Sequence, residues 1–117
     1  MTNNSGQIAE ADLVVSPDIL RRILEGGKRQ LRLLADKPRQ FRKGEVLCVK
    51  DTRLNFVTLI VTEVYKQKLQ DMAVTDIAAE GYRDYPQFKA MWNSIYIRDN
   101  CEWDNNPAVQ VLEFERE

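Results

Sequence analysis

The chain has 117 residues, 44% of them hydrophobic and 30% charged, with a net charge of -1, which suits one domain with one modest core. It contains no histidine and two cysteines. That excludes Ser-His and Cys-His nucleophile activation and leaves too few soft ligands for zinc, so no metal and no cofactor is expected. No apolar run approaches a membrane span, and the polar start Met-Thr-Asn-Asn-Ser-Gly-Gln lacks a secretion-signal pattern. The expectation is a cytoplasmic protein with reduced thiols and no membrane partner.

Residues 1–12 carry few apolar groups and read as a flexible tail, with a single domain over residues 13–117. Leu13-Val14-Val15 predicts a short strand. Ser16 then offers an N-cap and Pro17 a first helical position. Ile19, Leu20, Ile23 and Leu24 recur at helical spacing and predict one buried face. Gly26-Gly27 supplies the left-handed stop, and Lys28, Arg29 and Arg32 follow directly. Gln30 to Leu34 reads as a second strand, Asp36-Lys37-Pro38-Arg39 as a turn, and Glu45 to Lys50 as a third strand after Lys43-Gly44. Phe56 to Tyr65 is rich in β-branched residues and predicts a long central strand running on to about Leu69.

Val74 to Gly81 reads as a short helix ended by glycine, and Asp84 caps the next, whose Phe88, Met91, Trp92 and Ile95 share one face. Residues 96–106 are polar and irregular, and Pro107 to Arg116 is a last strand. Cys48 is expected in the core and Cys101 in an exposed loop. Strands outnumber helices without a βαβ rhythm, so the fold class is α+β: a small mixed or antiparallel β-barrel with two or three short helices packed outside.

Charge is unevenly distributed. Residues 21–50 hold ten cations against three anions, and residues 71–117 hold ten anions against four cations. A basic segment facing one way would suit a phosphate backbone.

Several motifs resemble the ASCH domain, a member of the PUA-like superfamily of small RNA-associated barrels. They are Leu69-Gln70-Asp71-Met72, Ile77-Ala78-Ala79-Glu80-Gly81, the helix carrying Phe88, Trp92 and Ile95, and the ending from Trp103-Asp104-Asn105-Asn106-Pro107 to Phe114. Their order is most similar to short phage and prophage members, and the likeness covers residues 13–117. The family's Gly-x-Lys-x-x-Thr-type motif falls at Gly26-Gly27-Lys28-Arg29-Gln30-Leu31. Lys28 matches the lysine, and Leu31 stands where the threonine is expected. Some small members are amidohydrolases of N-acylated cytidine that use a lysine, a threonine and a glutamate. Glu80 matches the glutamate, but Leu31 has no oxygen to attack with, and Gln30 is no substitute nucleophile.

The resemblance therefore implies an RNA- or nucleotide-binding module more than an enzyme, with Lys28 and Glu80 as the catalytic candidates if any catalysis survives. Its expected cleft is basic. Lys28, Arg29, Arg32, Arg39 and Arg42 would take phosphates, Glu80 would accept from an exocyclic amine or ribose hydroxyl, and Tyr82 and Trp103 would stack on bases, the favoured alternative for Trp103 being to pin its loop onto the barrel. Trp92 is expected in the core. The alternatives are the amidohydrolase and a phage or prophage accessory protein that binds a host protein through the acidic C-terminal half. Oligomeric state stays open.

Overall fold

A computed structural model describes residues 11–117. Five strands form one sheet: β1 (Leu13–Val15), β2 (Gln30–Leu34), β3 (Val46–Asp51), β4 (Phe56–Lys68) and β5 (Ala108–Arg116). Their spatial order is β1-β3-β4-β5-β2. Only β1 with β3 is parallel; the other neighbours are antiparallel. Three α-helices complete the domain, α1 (Pro17–Leu24), α2 (Val74–Ala79) and α3 (Tyr85–Tyr96), with 3-10 turns at Leu69–Asp71, Ile97–Asp99 and Trp103–Asn105. The expected α+β, PUA-like class holds, with the sheet curled into a half-barrel. It stays open between its two edge strands, β1 and β2.

Local chemistry places these elements as the residue pattern predicts. Ser16 accepts a hydrogen bond from the Ile19 N–H at 3.2 Å, and Gly26 ends the α1 segment with φ +86°, a left-handed value that costs glycine nothing. Asp84 caps α3 by accepting from the Gln87 N–H at 3.0 Å. The 13-residue β4 carries a bulge between Val61 and Glu63, which bends a strand and sharpens its twist. Its first five residues, Phe56 to Ile60, pair with β3, and Leu59 to Lys68 pair with β5.

Two cores share the sheet. Ile19, Leu20 and Ile23 of α1 pack on Leu47, Val49, Leu59 and Leu112. Phe88 and Trp92 of α3, with Ile77 of α2, pack on Leu34, Val109 and Val111. Apolar contacts on both faces explain why β5 reads as a nearly continuous apolar run. Within it Gln110 is fully buried, donating to the Arg39 carbonyl at 2.6 Å and accepting from the Phe41 N–H at 3.3 Å. It ties the long loop before β3 to the sheet.

Four expectations shift. Leu24 is 40% exposed, because the helix face narrows to Ile19, Leu20 and Ile23 where it meets the strands. Ile95 is 47% exposed, and in the last turn of α3 it is Tyr96 that packs against the second core. Cys48 is half-buried on the outer sheet face, because alternation gives the inward positions to Leu47 and Val49. Cys101 is half-buried as well, its carbonyl accepting from the Trp92 indole at 2.7 Å. Of the expected tail, residues 1–10 lie outside the described residues. Asp12 belongs to the fold: its N–H donates to the Cys48 carbonyl and its carboxylate accepts from the Cys48 N–H. Among the described residues no helix is long and apolar enough to cross a membrane.

Candidate functional site

Two glycine-marked chain reversals build the site. One follows α1 and delivers Lys28 into β2; the other follows α2 and delivers Glu80. Gly81 has φ +90°, and a Cβ built on it would lie 3.3 Å from the Lys28 Cβ and 3.5 Å from the Gly27 carbonyl oxygen. A side chain here would crowd Lys28, and glycine takes the positive φ without strain. The two segments are fastened by the Arg29 N–H donating to the Ala79 carbonyl at 2.6 Å and by the Arg22 guanidinium donating to the Gly81 carbonyl at 2.6 Å.

Lys28 and Glu80 are thereby brought together, both almost wholly buried. Lys28 Nζ donates to Glu80 Oε1 at 2.5 Å and to the Glu80 carbonyl at 3.1 Å. Arg32 joins them, 4% exposed, donating to Glu80 Oε2 at 2.9 Å and to Gln30 Oε1 at 2.7 Å. Its remaining N–H groups reach Gln67 Oε1 at 3.0 and 2.9 Å and Asp76 Oδ2 at 3.5 Å. Four of the five guanidinium N–H groups are thus hydrogen-bonded to protein, and the fifth is left beside the Asp76 carboxylate as an ion pair at 3.5 Å. Arg32 therefore clamps the Glu80 carboxylate. Among the described residues, Lys28 keeps one N–H and each Glu80 oxygen keeps a lone pair.

This trio borders a pocket of about 200 Å3 that lies between the open edges of the sheet and α3. Leu13, Val15 and Ser16 line one side, Leu31 and Leu33 another. The α3 side is aromatic: Phe88, Trp92 and Tyr96. Phe88 and Trp92 stack at 6.1 Å, and Tyr96 lies 4.2 Å from Trp92. Burial, reinforced by nearby Asp99 and Glu80, pushes the Tyr96 phenol up to about 12, so it stays protonated as a donor. The exposed Ile95 and Val14 form the rim.

The other expected site residues lie elsewhere. Tyr82 is buried beside the trio, with Lys28 Nζ 5.6 Å and the Arg22 guanidinium 4.5 Å from its ring centroid. Burial raises its phenol to about 12, and the buried hydroxyl has no hydrogen-bond partner among the described residues. Trp103 is half-buried against Tyr85 and Phe88, its N–H donating to Asn93 Oδ1 at 2.7 Å. It pins the loop before β5 and does not line the pocket. Arg39 pairs with Glu45 and, at 3.3 Å, with Asp12; Arg42 lies exposed three residues before Glu45. Arg29 is exposed with no ion pair among the described residues. Elsewhere Arg21 pairs with Asp18 and Glu25, and Lys43 with Glu63. Folding intersperses the basic segment with acids.

Residue pattern alone did not signal Gln30, Gln67 and Asp76, which hold Arg32, or Tyr96 and Ser16 in the pocket wall. One trace exists: Gln30 and Arg32 alternate on a strand that is buried on both faces, a polar stripe that needs internal partners.

A half-barrel of this strand order with three helices has an ASCH-like fold of the PUA-like class. Solved structures agree. An ASCH domain from Lactobacillus crispatus matches with a TM-score of 0.73 at 14% identity, over 89% of this chain and 78% of that one. A DUF984-family protein from Enterococcus faecalis matches with a TM-score of 0.73 at 13% identity, over 95% and 78%. A hypothetical protein, PH0355, matches with a TM-score of 0.63 at 14% identity, over 90% and 96%. At these identities the likeness is one of fold. No protein-family model matches the sequence, and no curated protein matches it.

Proposed function

We propose that this chain is an RNA- or nucleotide-binding module that seats one base in the pocket between β1, β2 and α3. The observation that carries the reading is the Lys28–Glu80 pair at 2.5 Å, locked by Arg32 at the edge of an aromatic-walled cavity. A free N–H beside free carboxylate lone pairs matches an adjacent acceptor and donor, the pattern of a nucleobase edge or of an amide. The aromatic wall offers the stacking that single-stranded RNA modules use. The cavity is below the 300–1,000 Å3 or so common for drug-sized ligands, a scale that suits a base more than a strand. A phosphate is disfavoured there, because the Glu80 carboxylate and the Asp76 ion pair already hold the Arg32 guanidinium.

Binding of cytidine and of a labelled single-stranded RNA to wild type and to Ile95→Arg, which narrows the rim without touching the trio, tests this reading. Saturable binding weakened by the rim substitution supports it. No binding at low salt refutes it.

A second reading, hydrolysis of N-acylated cytidine, draws on the same pair, which places a proton donor against a carboxylate. Leu31 lies in the pocket wall without a nucleophilic atom; the wall's hydroxyls come from Ser16 and Tyr96. Turnover of N-acetylcytidine above background, abolished in Glu80→Gln, would promote this reading over the binding module. The similarity to short phage and prophage proteins rests on the sequence motifs alone.

A further inference from the structure

A second concavity adjoins the same backbone contact. Where the pocket is lined by Lys28 and Glu80, an open groove of about 460 Å3 is lined by their neighbours Gly27 and Gly81, with Arg22, Tyr82, Arg83 and Gln87. Its donors are uncommitted to a degree found nowhere in the trio. The Arg22 guanidinium lies over the Tyr82 ring at 4.5 Å, uses Nε on Asp18 at 2.9 Å and one Nη1 hydrogen on the Gly81 carbonyl, and keeps Nη2 free among the described residues. Arg83 is exposed. Only its main-chain N–H is engaged, donating to Gln87 Oε1 at 3.0 Å, so its guanidinium has no partner among the described residues. That bond also leaves the Gln87 amide nitrogen as the end available to the groove.

The carboxylates nearby are already held. Asp18 pairs with both Arg21 and Arg22, which keep its carboxyl below the ordinary 3.8, and Asp84 caps α3. Gly27 leaves the wall bare: a Cβ built there meets nothing within 4 Å.

We propose that this groove, and not the Arg32–Arg39–Arg42 side of the basic segment, takes a phosphate of the nucleic-acid strand whose base enters the pocket. The inference rests on the base-pocket reading. Arg22 and Arg83 supply the charge-assisted hydrogen bonds, and Gly27 permits the backbone approach.

Anisotropy of a labelled single-stranded RNA across a salt series tests the groove with Arg83→Glu, Gly27→Glu and, as a remote charge reversal, Lys66→Glu. Arg83 and Lys66 are exposed, and Gly27 has neither a positive φ nor a neighbour to clash with, so all three variants should fold. Arg83→Glu and Gly27→Glu should each weaken RNA roughly ten-fold and reduce the log–log salt slope by about 1. Lys66→Glu should change the slope far less, and cytidine affinity should stay at the wild-type value in all three. RNA binding with an unchanged slope in both groove variants, or an equal change in Lys66→Glu, overturns the phosphate groove and leaves the base pocket standing. No binding of cytidine or RNA by wild type overturns both.

Discussion

Glu80 sits between Lys28 at 2.5 Å and Arg32 at 2.9 Å, with side chains no more than 1% exposed. Charges removed from water in this way hold one another only while each keeps its partner. Arg32→Met should therefore cost about 3–5 kcal/mol in urea unfolding, because it removes one of the two buried cations on Glu80 and leaves Glu80 Oε2, Gln30 Oε1 and Gln67 Oε1 without their donor; a loss under about 1 kcal/mol would mean the trio is hydrated. Gly81→Ala should cost about 1–3 kcal/mol, since it forces φ +90° on an L-residue and crowds Lys28 at 3.3 Å. Gly26→Ala meets nothing within 4 Å and should cost less. At the surface, the Arg39 hydrogen bond, against partial burial and with help from the Arg42 N–H, holds Glu45 below its ordinary 4.5. A carboxyl lowered on folding stabilises fully above 4.5, and that contribution disappears as pH falls through the lowered value. Glu45→Gln should flatten the acid limb of a stability–pH curve by no more than about 1 kcal/mol, as exposed pairs do.

The same contrast between buried and rim positions runs along α3. Trp92 is 1% exposed and Ile95 47%, so Trp92→Ala should cost about 3–5 kcal/mol and Ile95→Ala close to nothing by thermal unfolding. Helical spacing made these residues equivalent in the sequence, and it was right for Phe88 and Trp92. It erred at Ile95 because periodicity describes a helix and not where its partner sheet stops. Strands were legible nearly to the residue, since β-branched runs, caps and glycines are local signals; β4 follows its prediction to within a residue of Leu69. The cations were not. Lys28 and Arg32 lie in the same basic run as Arg39 and Arg42, yet the first two are buried and the last two exposed. What separates them is a carboxylate 48 to 52 residues away, and the Lys28–Glu80 pairing came from a family resemblance, not from any spacing.

Across the whole molecule, the candidate site follows from an incomplete barrel. Sheet order leaves β1 and β2 as unpaired edges, and α3 crosses beside them to make a pocket with charges at one side and aromatic rings at the other. Trp92 lines that pocket while Trp103 does not, so the variant Trp103→Phe leaves a single indole as a reporter of occupancy. Titrating this variant with cytidine and following its tryptophan fluorescence tests the base pocket directly. The account predicts a saturable change that Ile95→Arg weakens; fluorescence that stays constant in a folded protein, with no binding by calorimetry, would contradict it.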